Sequence, residues 1–521
     1  MALLSHQPSN ILIVGAGSSG LLLALLLQKS GQNFQIIEKK PAPDGLSKAT
    51  GVHANSLKLL DKIDLADEIG SHAIELLANN FVVDGTFEKK ILFPQGKGKN
   101  DKNLSISQNT VEDIFVQTLK KDGVTIDYNS TLTHFQNDSD GVQAIIETDN
   151  AAYTRRFDFL IGCDGASSTV RKILNINFPG ETTPEWSFTF DAQILSEPLR
   201  PQEMYTYTTK NERLVVVPIP GDRLYKFSGR ISDDLHAKFA QEDLEAKRAE
   251  LAELVFKRSG IEIDLQTLSG LCFYHTQSRL ASSMHEKRVF LVGDAAHLFF
   301  PAGGYGLNTA LEDAYALAWR LACSKTEWIK QDVFSSYNTS RLSNAKLLRG
   351  DSGKKREEAF ALNTIGPKEK QEKQAYQQSH SSSSHSYFRF HTMFDEDYLS
   401  AVVSGTETLA EAIGKRYGFV LIVNTEHKEL LSHITQLCEK TSFPLPFRMI
   451  HVSQSLESKN RFVLPNQDSF FTKNPESLIF ITPDNFSYLI QSPLSLNHLE
   501  TIFTKGPFQI ESDPSLKTAF A

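Results

Sequence analysis

The chain has 521 residues, which is enough for two or three domains. Its hydrophobic content of 40% and charged content of 22% are ordinary for a soluble globular protein. The net charge of -8, without a long basic run, argues against a nucleic-acid-binding protein. Four cysteines lie far apart with no C-x-x-C pair, which disfavours a zinc knuckle or a dithiol redox site and favours a reduced, intracellular setting.

The N-terminal segment shows no sign of a targeting sequence. Residues 1–10 lack a basic region followed by a cleavable apolar core, and the apolar run Leu21–Leu27 is too short to cross a bilayer. We therefore expect a cytoplasmic protein without a membrane span.

The first predicted element is a strand, a turn and a helix. The run Ile11–Val14 is typical of a buried parallel strand, and Gly15, Gly17 and Gly20 follow it at the G-x-G-x-x-G spacing. In a nucleotide-binding unit the first glycine permits the tight turn, the second admits a pyrophosphate, and the third lets the helix pack against the strand. The helix dipole and its first amides then face the phosphates.

A second apolar strand, Phe34–Ile37, ends in Glu38, whose carboxylate can accept hydrogen bonds from ribose hydroxyls. The alternative is a glycine-rich turn in an ordinary α/β domain, which the strand, helix and acid together disfavour. The motif does not distinguish FAD from NAD, although the acid disfavours NADP at this site.

Two further segments follow in the same style. Ser107 predicts a capped helix start, and Gln108 beside it is, on the sequence alone, best explained as a solvated capping residue. The strand 157–162 ends in a small-residue turn that carries Asp164, and the helix after it carries Arg171, which we expect to be solvated or salt-bridged.

Residues 186–273 change character, with aromatic-rich strands and a helix predicted over 235–259. This sheet could cover a cofactor and line an apolar pocket, although a packed core is the favoured explanation for any single aromatic residue. The candidate pocket residues are Phe188, Phe190, Tyr205, Tyr207 and Phe227.

A third apolar strand ends in Gly293 and Asp294, and a glycine-rich loop over 301–308 precedes an amphipathic helix. Backbone amides at such a helix start can stabilise a developing anion, for which a reduced flavin ring is a candidate. His297 is a candidate base, but its alanine neighbours favour a structural role.

Beyond these motifs, residues 353–386 indicate an exposed helix and a linker, and the C-terminal segment indicates a small α/β domain with a structural or dimer-contact role.

The three motif segments in this order resemble the single-component FAD-dependent aromatic hydroxylases, the group A flavin monooxygenases of the para-hydroxybenzoate and phenol hydroxylase type. The likeness covers residues 10–341, and the C-terminal segment resembles the thioredoxin-like tail of the phenol hydroxylase branch. The resemblance implies an α/β fold with a Rossmann-like FAD-binding domain, an inserted β-sheet substrate domain and a thioredoxin-like domain. The implied boundaries are 1–75, 104–180 and 275–350 for the FAD-binding domain, 76–103 and 181–274 for the substrate domain, 351–394 for a helix and linker, and 395–521 for the thioredoxin-like domain.

The resemblance also assigns roles at the matching positions. Glu38 would bind the adenosine ribose, Gln108 would now lie along the FAD, and Asp164 would serve both FAD and the nicotinamide donor. Asp294 would hold the ribityl chain. The full set of predicted cofactor-binding residues is Gly15, Gly17, Ser19, Gly20, Glu38, Lys39, Lys48, Gln108, Asp164, Asp294, Pro301, Gly304, Gly306, Leu307 and Asn308. No metal site is predicted, and the catalytic residues remain unassigned.

Two departures from the family pattern stand close together. Lys48 occupies a position where the family commonly has arginine, so the charge is kept while the bidentate fork is lost. Phenol hydroxylases carry an aspartate near the position of Thr50 that helps to deprotonate the phenol, and threonine cannot do this. Either another group activates the substrate, or the substrate is not a simple phenol.

The predicted function is an FAD-dependent monooxygenase that hydroxylates a phenolic or polycyclic aromatic compound with NADPH or NADH and O2 through a flavin C4a-hydroperoxide. One alternative keeps the flavin but inactivates or modifies an aromatic antibiotic or polyketide. Another is a non-catalytic FAD-binding scaffold, and a plain NAD dehydrogenase is disfavoured because it does not explain Asp164 and Asp294. The expected partners are a small aromatic substrate and O2, without nucleic acid, and a homodimer is left open.

Overall fold

The computed structural model describes residues 10–43, 49–93, 95–96, 98–196, 199–209, 212–241, 243–324, 332–361, 418–424, 428–440, 447–453, 462–463, 477–481, 487–490 and 518–520. Its mixed α/β architecture confirms the predicted fold class. The strands are β1 (Asn10–Val14), β2 (Asn33–Ile37), β3 (Ile74–Leu76), β4 (Ala78–Val83), β5 (Thr86–Leu92), β6 (Asn103–Ser105), β7 (Thr131–Asn137), β8 (Val142–Glu147), β9 (Ala152–Phe157), β10 (Phe159–Gly162), β11 (Gly180–Gln193), β12 (Glu203–Thr209), β13 (Glu212–Pro218), β14 (Leu224–Ile231), β15 (Ser269–Leu280), β16 (His285–Glu286), β17 (Val289–Leu291), β18 (His297–Leu298), β19 (Phe419–Asn424), β20 (Phe447–Ser453), β21 (Phe462–Val463), β22 (Ser477–Ile481), β23 (Ser487–Ile490) and β24 (Thr518–Phe520).

The helices are α1 (Ser18–Lys29), α2 (Ala54–Asp61), α3 (Ala66–Ser71), α4 (Gln108–Lys121), α5 (Thr169–Ile173), α6 (Asp233–Gln241), α7 (Leu244–Ser259), α8 (Tyr305–Cys323), α9 (Asp332–Ala361) and α10 (Lys428–Lys440). Within the described residues, no helix combines the length and the apolar character needed to cross a bilayer.

The first sheet brings the three predicted motif strands side by side. Its order is β16-β17-β10-β1-β2, and all neighbouring pairs are parallel except β16 with β17. Because the carboxyl ends of parallel strands meet at one edge, the turns after β1, β10 and β17 converge there. The Gly15 amide donates to Ile37 O (2.8 Å), and the Cys163 amide donates to Val14 O (2.8 Å).

Helix α1 lies buried against this sheet. Its leucines, Leu21–Leu27, are at most 1% exposed, which explains why the helix is apolar on all sides. The helix begins at Ser18, directly after Gly17 and three residues before the apolar run. Helix α8 packs on α1, so the glycine turn and the loop that starts α8 belong to one core.

The second sheet is mostly antiparallel, with the order β18-β15-β11-β14-β13-β12-β4-β5 and one parallel pair, β12 with β4. One face of this sheet packs against α6 and α7. The aromatic residues predicted as pocket candidates lie on this packed face: Phe188, Phe190 and Phe227 are fully buried, Tyr207 is buried and Tyr205 is partly buried. The core explanation is therefore the correct one for these rings.

The prediction of a single helix over 235–259 is wrong. The chain forms two helices, α6 and α7, because Asp243 between them caps the second: its Oδ1 accepts from the Ala246 amide at 2.9 Å.

The remaining sheets are smaller. β7, β8 and β9 form a three-stranded sheet, and β3 pairs with β6. The C-terminal sheet has the order β21-β20-β19-β22-β23-β24, in which the apolar strands β19 and β22 pair antiparallel. The thioredoxin-like character of this segment stays a prediction. Of the predicted helix and linker at 351–394, α9 takes the first part to Ala361, and residues 362–394 lie outside the described residues.

Candidate active site

The three glycines of the first turn serve different purposes. Gly15 has φ +106°, and a Cβ there would lie 2.4 Å from Cys163 O. A Cβ on Gly20 would lie 2.0 Å from Gly15 O, so neither position accepts a side chain. At Gly17 the nearest atom to such a Cβ, Glu112 Oε1, is 3.9 Å away. Gly15 and Gly20 thus let the chain pack closely, whereas Gly17 leaves open space at the start of α1.

Glu38 lies against this turn, as the fingerprint predicts. Its Oε2 accepts from the Ala16 amide (2.9 Å) and its Oε1 from the Lys40 amide (3.0 Å). Each carboxylate oxygen keeps a second lone pair, so the group can still accept from a ribose. Lys39 is exposed beside it.

A second carboxylate, that of Glu112 on α4, was not predicted and contacts the first residue of α1. Its Oε1 accepts from the Ser18 amide (2.9 Å), from Ser18 Oγ (2.6 Å) and from Gln108 Nε2 (2.8 Å). Gln108 and Glu112 are one turn apart on α4, so α4 and α1 are joined at the glycine turn. Gln108 therefore lies beside this turn, and Ser107 caps α4 by accepting from the Thr110 amide at 3.1 Å.

Asp164 is bonded within the second motif, and Arg171 joins this motif to the third. Asp164 Oδ2 accepts from the Val170 amide (3.0 Å) at the start of α5, while Oδ1 is buried without a hydrogen-bond partner among the described residues. Burial raises the pKa of Asp164. The expectation of a solvated or salt-bridged Arg171 is wrong: the guanidinium is buried and donates to Ala295 O (2.7 Å) and Ala166 O (2.8 Å).

The third motif begins at a turn that touches the first. Gly293 has φ +63°, and a Cβ there would lie 3.2 Å from Ser19 Oγ, so Ser19 and this turn are in contact. Asp294 is exposed in the following 3-10 turn.

A buried ion network supports the third motif from below. His297 Nε2 donates to Asp313 Oδ2 (2.6 Å), which also accepts from the Gly293 amide (3.1 Å). Arg341 Nε donates to Asp313 Oδ1 (2.6 Å), and Arg341 Nη2 donates to Glu312 Oε2 (3.0 Å). His297 is fully buried in this network, so the structure favours its structural role over that of a base.

The charges of this network act on one another's protonation. Although burial opposes ionisation, His297 and Arg341 hold the pKa of Asp313 below its ordinary value. Burial raises the pKa of Glu312 because it outweighs the attraction of Arg341. Burial works to lower the pKa of Arg341, but the two carboxylates raise it overall, so the guanidinium stays charged.

Asn308 holds two loops together. Its Oδ1 accepts from the His53 amide (2.8 Å), and its Nδ2 donates to Gly51 O (3.1 Å) and Gly304 O (2.9 Å). Elsewhere in the first loop, the Gln108 amide donates to Ala49 O at 3.0 Å. The loop at 49–54 is thus fixed against the start of α8. Lys48, predicted to contact the cofactor, lies outside the described residues.

The glycine-rich loop ends at a side-chain cluster that was not predicted. Tyr305, the first residue of α8, is buried, and its hydroxyl is hydrogen-bonded to Asp351 and to Lys355 of α9. Asp351 and Lys355 form an ion pair at 2.9 Å. Of the predicted residues in this loop, Pro301 and Gly304 are exposed, Gly306 is half-buried and Leu307 is buried. A Cβ on Gly306 would meet no atom within 4 Å.

The second sheet turns a polar face away from α6 and α7. Ser187, Thr189 and Asp191 alternate with the buried aromatic residues of β11 and pair with Arg230, Ser228 and Lys226 of β14. Lys226 is buried and donates to Asp191 Oδ1 at 2.5 Å, and Thr189 Oγ1 lies 3.0 Å from Ser228 Oγ. We call these six residues the polar face.

The polar face lies on the side of the glycine-rich loop. Tyr274 of β15 pairs with Ser187, so Ser278, four residues along the same strand, shares its face. Arg349 of α9 donates to Ser278 Oγ at 3.3 Å. Two residues further along α9, Asp351 is hydrogen-bonded to Tyr305 at the end of the glycine-rich loop. β18 also pairs with β15 immediately before the glycine-rich loop.

Comparison with known protein families decides the nature of this site. Residues 9–350 match the FAD binding domain family. The chain belongs to this FAD-binding family. The matched range therefore includes the three turns that converge at the sheet edge and the glycine-rich loop.

Named relatives of the FAD-binding domain are monooxygenases. A 12-dehydrotetracycline 5-monooxygenase/anhydrotetracycline 6-monooxygenase of Streptomyces rimosus is 30% identical over 344 residues, which are 64% of this chain and 66% of that protein. A rifampicin monooxygenase of Streptomyces venezuelae is 25% identical over 336 residues, 64% of this chain and 68% of that protein. The matched part thus spans about two thirds of these relatives.

The fold extends this similarity over most of the chain. The structure of aklavinone-11 hydroxylase with FAD and aklavinone superposes with a TM-score of 0.74, at 19% identity, over 96% of this chain and 99% of that one. At this identity the comparison shows the fold alone.

The residues present fit FAD. The open space at Gly17 faces the start of α1, where amides favour a phosphate, and Glu38 offers a carboxylate to a ribose. Asp164 Oδ1 is a buried acceptor that lacks a donor among the described residues. Sequence reasoning missed Glu112, the Asp313 network and the Tyr305 cluster because each joins side chains from separate elements. Only the i, i+4 spacing of Gln108 and Glu112 gave a local signal.

Proposed function

We propose that the protein is an FAD-dependent monooxygenase that hydroxylates a polar phenolic or polycyclic aromatic compound with NADPH or NADH and O2. The observation that carries the proposal is the polar face, which lies on the side of the glycine-rich loop in an FAD-binding domain. The relatives named for tetracycline and rifampicin support the same class.

The polar face favours a substrate with several oxygen atoms over a plain hydrocarbon. Lys226 and Asp191 offer a charged donor and acceptor, and Thr189 and Ser228 offer hydroxyls, all largely withdrawn from solvent. These groups already bond in pairs, but the ammonium, the carboxylate and the two hydroxyls each have hydrogen-bonding capacity beyond one partner, which an oxygenated ligand could use and a hydrocarbon could not. Aromatic polyketides carry carbonyl and hydroxyl groups along one edge and would satisfy them.

The reaction balances with one equivalent of each reactant. NAD(P)H supplies two electrons, one oxygen atom of O2 enters the aromatic ring, and the other leaves as water. FAD, when bound, would accept hydride from NAD(P)H and activate O2. Gly17 and the start of α1 would hold the pyrophosphate, Glu38 the adenosine ribose, Asp294 the ribityl chain, and Gly306 with Leu307 the flavin ring.

Anaerobic reduction of the flavin tests the proposal. The FAD-loaded protein is mixed with NADPH or NADH, with and without a panel of phenols and aromatic polyketides, and the flavin absorbance is followed. We expect bleaching that one class of oxygenated aromatic ligand accelerates. Absence of reduction under every condition, with FAD bound, would contradict the proposal and favour a flavin-binding scaffold. A cytoplasmic location and a homodimer stay predictions.

A further inference from the structure

The side of the second sheet that bears the polar face carries a second arginine on the next strand, β13. Leu214 of β13 pairs with Gly229 of β14, and the Leu214 side chain lies in the core on the opposite, packed face. Because side chains alternate along a strand, Arg213 lies on the same side as the polar face and stands opposite Arg230. Ser187 pairs with Arg230 from the other neighbouring strand. Two guanidinium groups are thus cross-strand neighbours.

The two arginines differ in their partners. Arg230 Nη1 lies 3.7 Å from Glu185 Oε1, so this cation has a carboxylate close by. The Arg213 side chain forms no hydrogen bond or ion pair with any described residue, and its Nε is buried without an acceptor. A guanidinium carries five N–H donors. Those of Arg213 therefore lack the acceptors that a half-buried cation requires.

An unpaired cation beside a like charge costs the fold stability. Like charges directly opposite on neighbouring strands repel each other. Burial, together with the neighbouring Arg230, lowers the pKa of Arg213 to about 10, so the guanidinium is still charged at neutral pH. The buried cation of the polar face, Lys226, is by contrast bonded to Asp191 at 2.5 Å. One cation is compensated within the sheet and the other is not, which indicates a position for an anion that the chain itself does not supply.

We propose that Arg213 and Arg230 bind an anionic oxygen group of the aromatic substrate, a carboxylate or an enolate. This inference rests on the proposed function and narrows its substrate class to acidic aromatic compounds. The planar guanidinium fork binds two oxygen atoms of one anion through parallel hydrogen bonds. Ser187, buried beside Arg230, adds a hydroxyl donor. An acidic group held here fixes the orientation of the ring on the polar face.

The test compares an aromatic acid with its amide on the oxidised, FAD-loaded protein without NAD(P)H. The probes are anthraquinone-2-carboxylate and anthraquinone-2-carboxamide, which differ in charge but hardly in shape, and calorimetric titration measures their dissociation constants. We expect the wild type to bind the acid more tightly than the amide. Arg213→Gln should weaken acid binding about tenfold to a hundredfold and leave amide binding unchanged. Arg213→Lys keeps the charge without the fork and should fall between the two.

The matched control is Arg156→Gln, which removes an exposed arginine that pairs with Asp140 in the three-stranded sheet. It should bind both probes as the wild type does. A titration with NADP+ distinguishes the second source of an anion, the phosphates of the nicotinamide donor. Arg213→Gln should bind NADP+ with wild-type affinity. Weaker NADP+ binding with unchanged acid binding would assign the arginine to the dinucleotide and overturn the inference.

Stability without ligand separates anion binding from a structural role. Because Arg213 faces a like charge and has no described partner, Arg213→Gln should unfold at the same denaturant concentration as the wild type or at a higher one. A clearly lower midpoint would contradict the inference. An Arg213→Gln protein with wild-type affinity for the acid, or a wild type that binds acid and amide equally, would also overturn it. The proposed function fails on a different result, the absence of flavin reduction by NAD(P)H under every condition.

Discussion

At the scale of single residues, Glu38 is the most direct reporter of cofactor binding. Replacing it by alanine removes the acceptor of the Ala16 amide and of the predicted ribose contacts. Hydrogen bonds to a charged group are worth about 1.5–3 kcal/mol, so we expect FAD affinity to fall roughly tenfold to a hundredfold. Glu38→Gln keeps one acceptor oxygen and should lose less. Fluorescence titration of the apoprotein with FAD measures both, and equal affinities of the alanine variant and the wild type would refute the assignment.

The buried network around Asp313 should contribute to the stability of the fold. Asp313→Asn removes one charge from a fully buried set and leaves Arg341 partly uncompensated, which should lower the free energy of unfolding by about 3–5 kcal/mol. Asp67→Asn breaks an exposed ion pair with Lys99 and should leave stability unchanged. Denaturant unfolding compares the three proteins, and an equal midpoint for Asp313→Asn and wild type would contradict the structural role.

The pH dependence of this difference has a definite sign. The pKa of Asp313 is lower in the folded state than in the unfolded state. The stability that its ionised form provides is therefore complete above the unfolded pKa of about 3.9 and is lost as pH falls through the folded pKa. The difference in the free energy of unfolding between wild type and Asp313→Asn should therefore be largest near neutral pH and should decrease in acid. A gap that widens in acid would be inconsistent with a depressed pKa.

At the scale of elements, the glycine turn predicts opposite outcomes for two alanine substitutions. Gly17 has φ -81° and open space, so Gly17→Ala should fold normally and bind FAD more weakly because the methyl group enters the predicted pyrophosphate position. In Gly20→Ala the methyl would lie 2.0 Å from Gly15 O, so α1 cannot keep its place and the folded yield should drop. Circular dichroism and FAD titration separate the two, and a Gly17→Ala protein with wild-type FAD affinity would contradict the placement of the phosphates.

The same elements show what local sequence can and cannot predict. The strand β1, the glycines and Glu38 form a contiguous pattern, so their arrangement was predictable. Arg171 was misjudged because one of its two acceptors, Ala295 O, lies 124 residues away along the chain and meets the guanidinium only at the folded sheet edge, whereas Ala166 O is a local partner five residues away. The aromatic residues of β11 alternate with polar ones, but alternation does not tell which face turns to the helices.

At the scale of the whole molecule, the convergence of the turns predicts that FAD stabilises the fold. The turns after β1, β10 and β17 are joined to α1, α4, α5 and α8, so a ligand bound at this edge stabilises the native state alone. FAD at about 100 times its dissociation constant should add about 2.7 kcal/mol to the free energy of unfolding. Thermal unfolding of apoprotein with increasing FAD checks this, and a midpoint independent of FAD would be incompatible with the site.

As a whole, the molecule is proposed to transfer an oxygen atom from O2 to an oxygenated aromatic ring. The most direct measurement is turnover of the ligand that best accelerates flavin reduction under dioxygen enriched in the heavy oxygen isotope, with mass analysis of the product. We expect a product that gains one oxygen atom, labelled from dioxygen and not from water, with one NAD(P)H consumed. An unmodified ligand, with all the consumed NAD(P)H recovered as hydrogen peroxide, would contradict it.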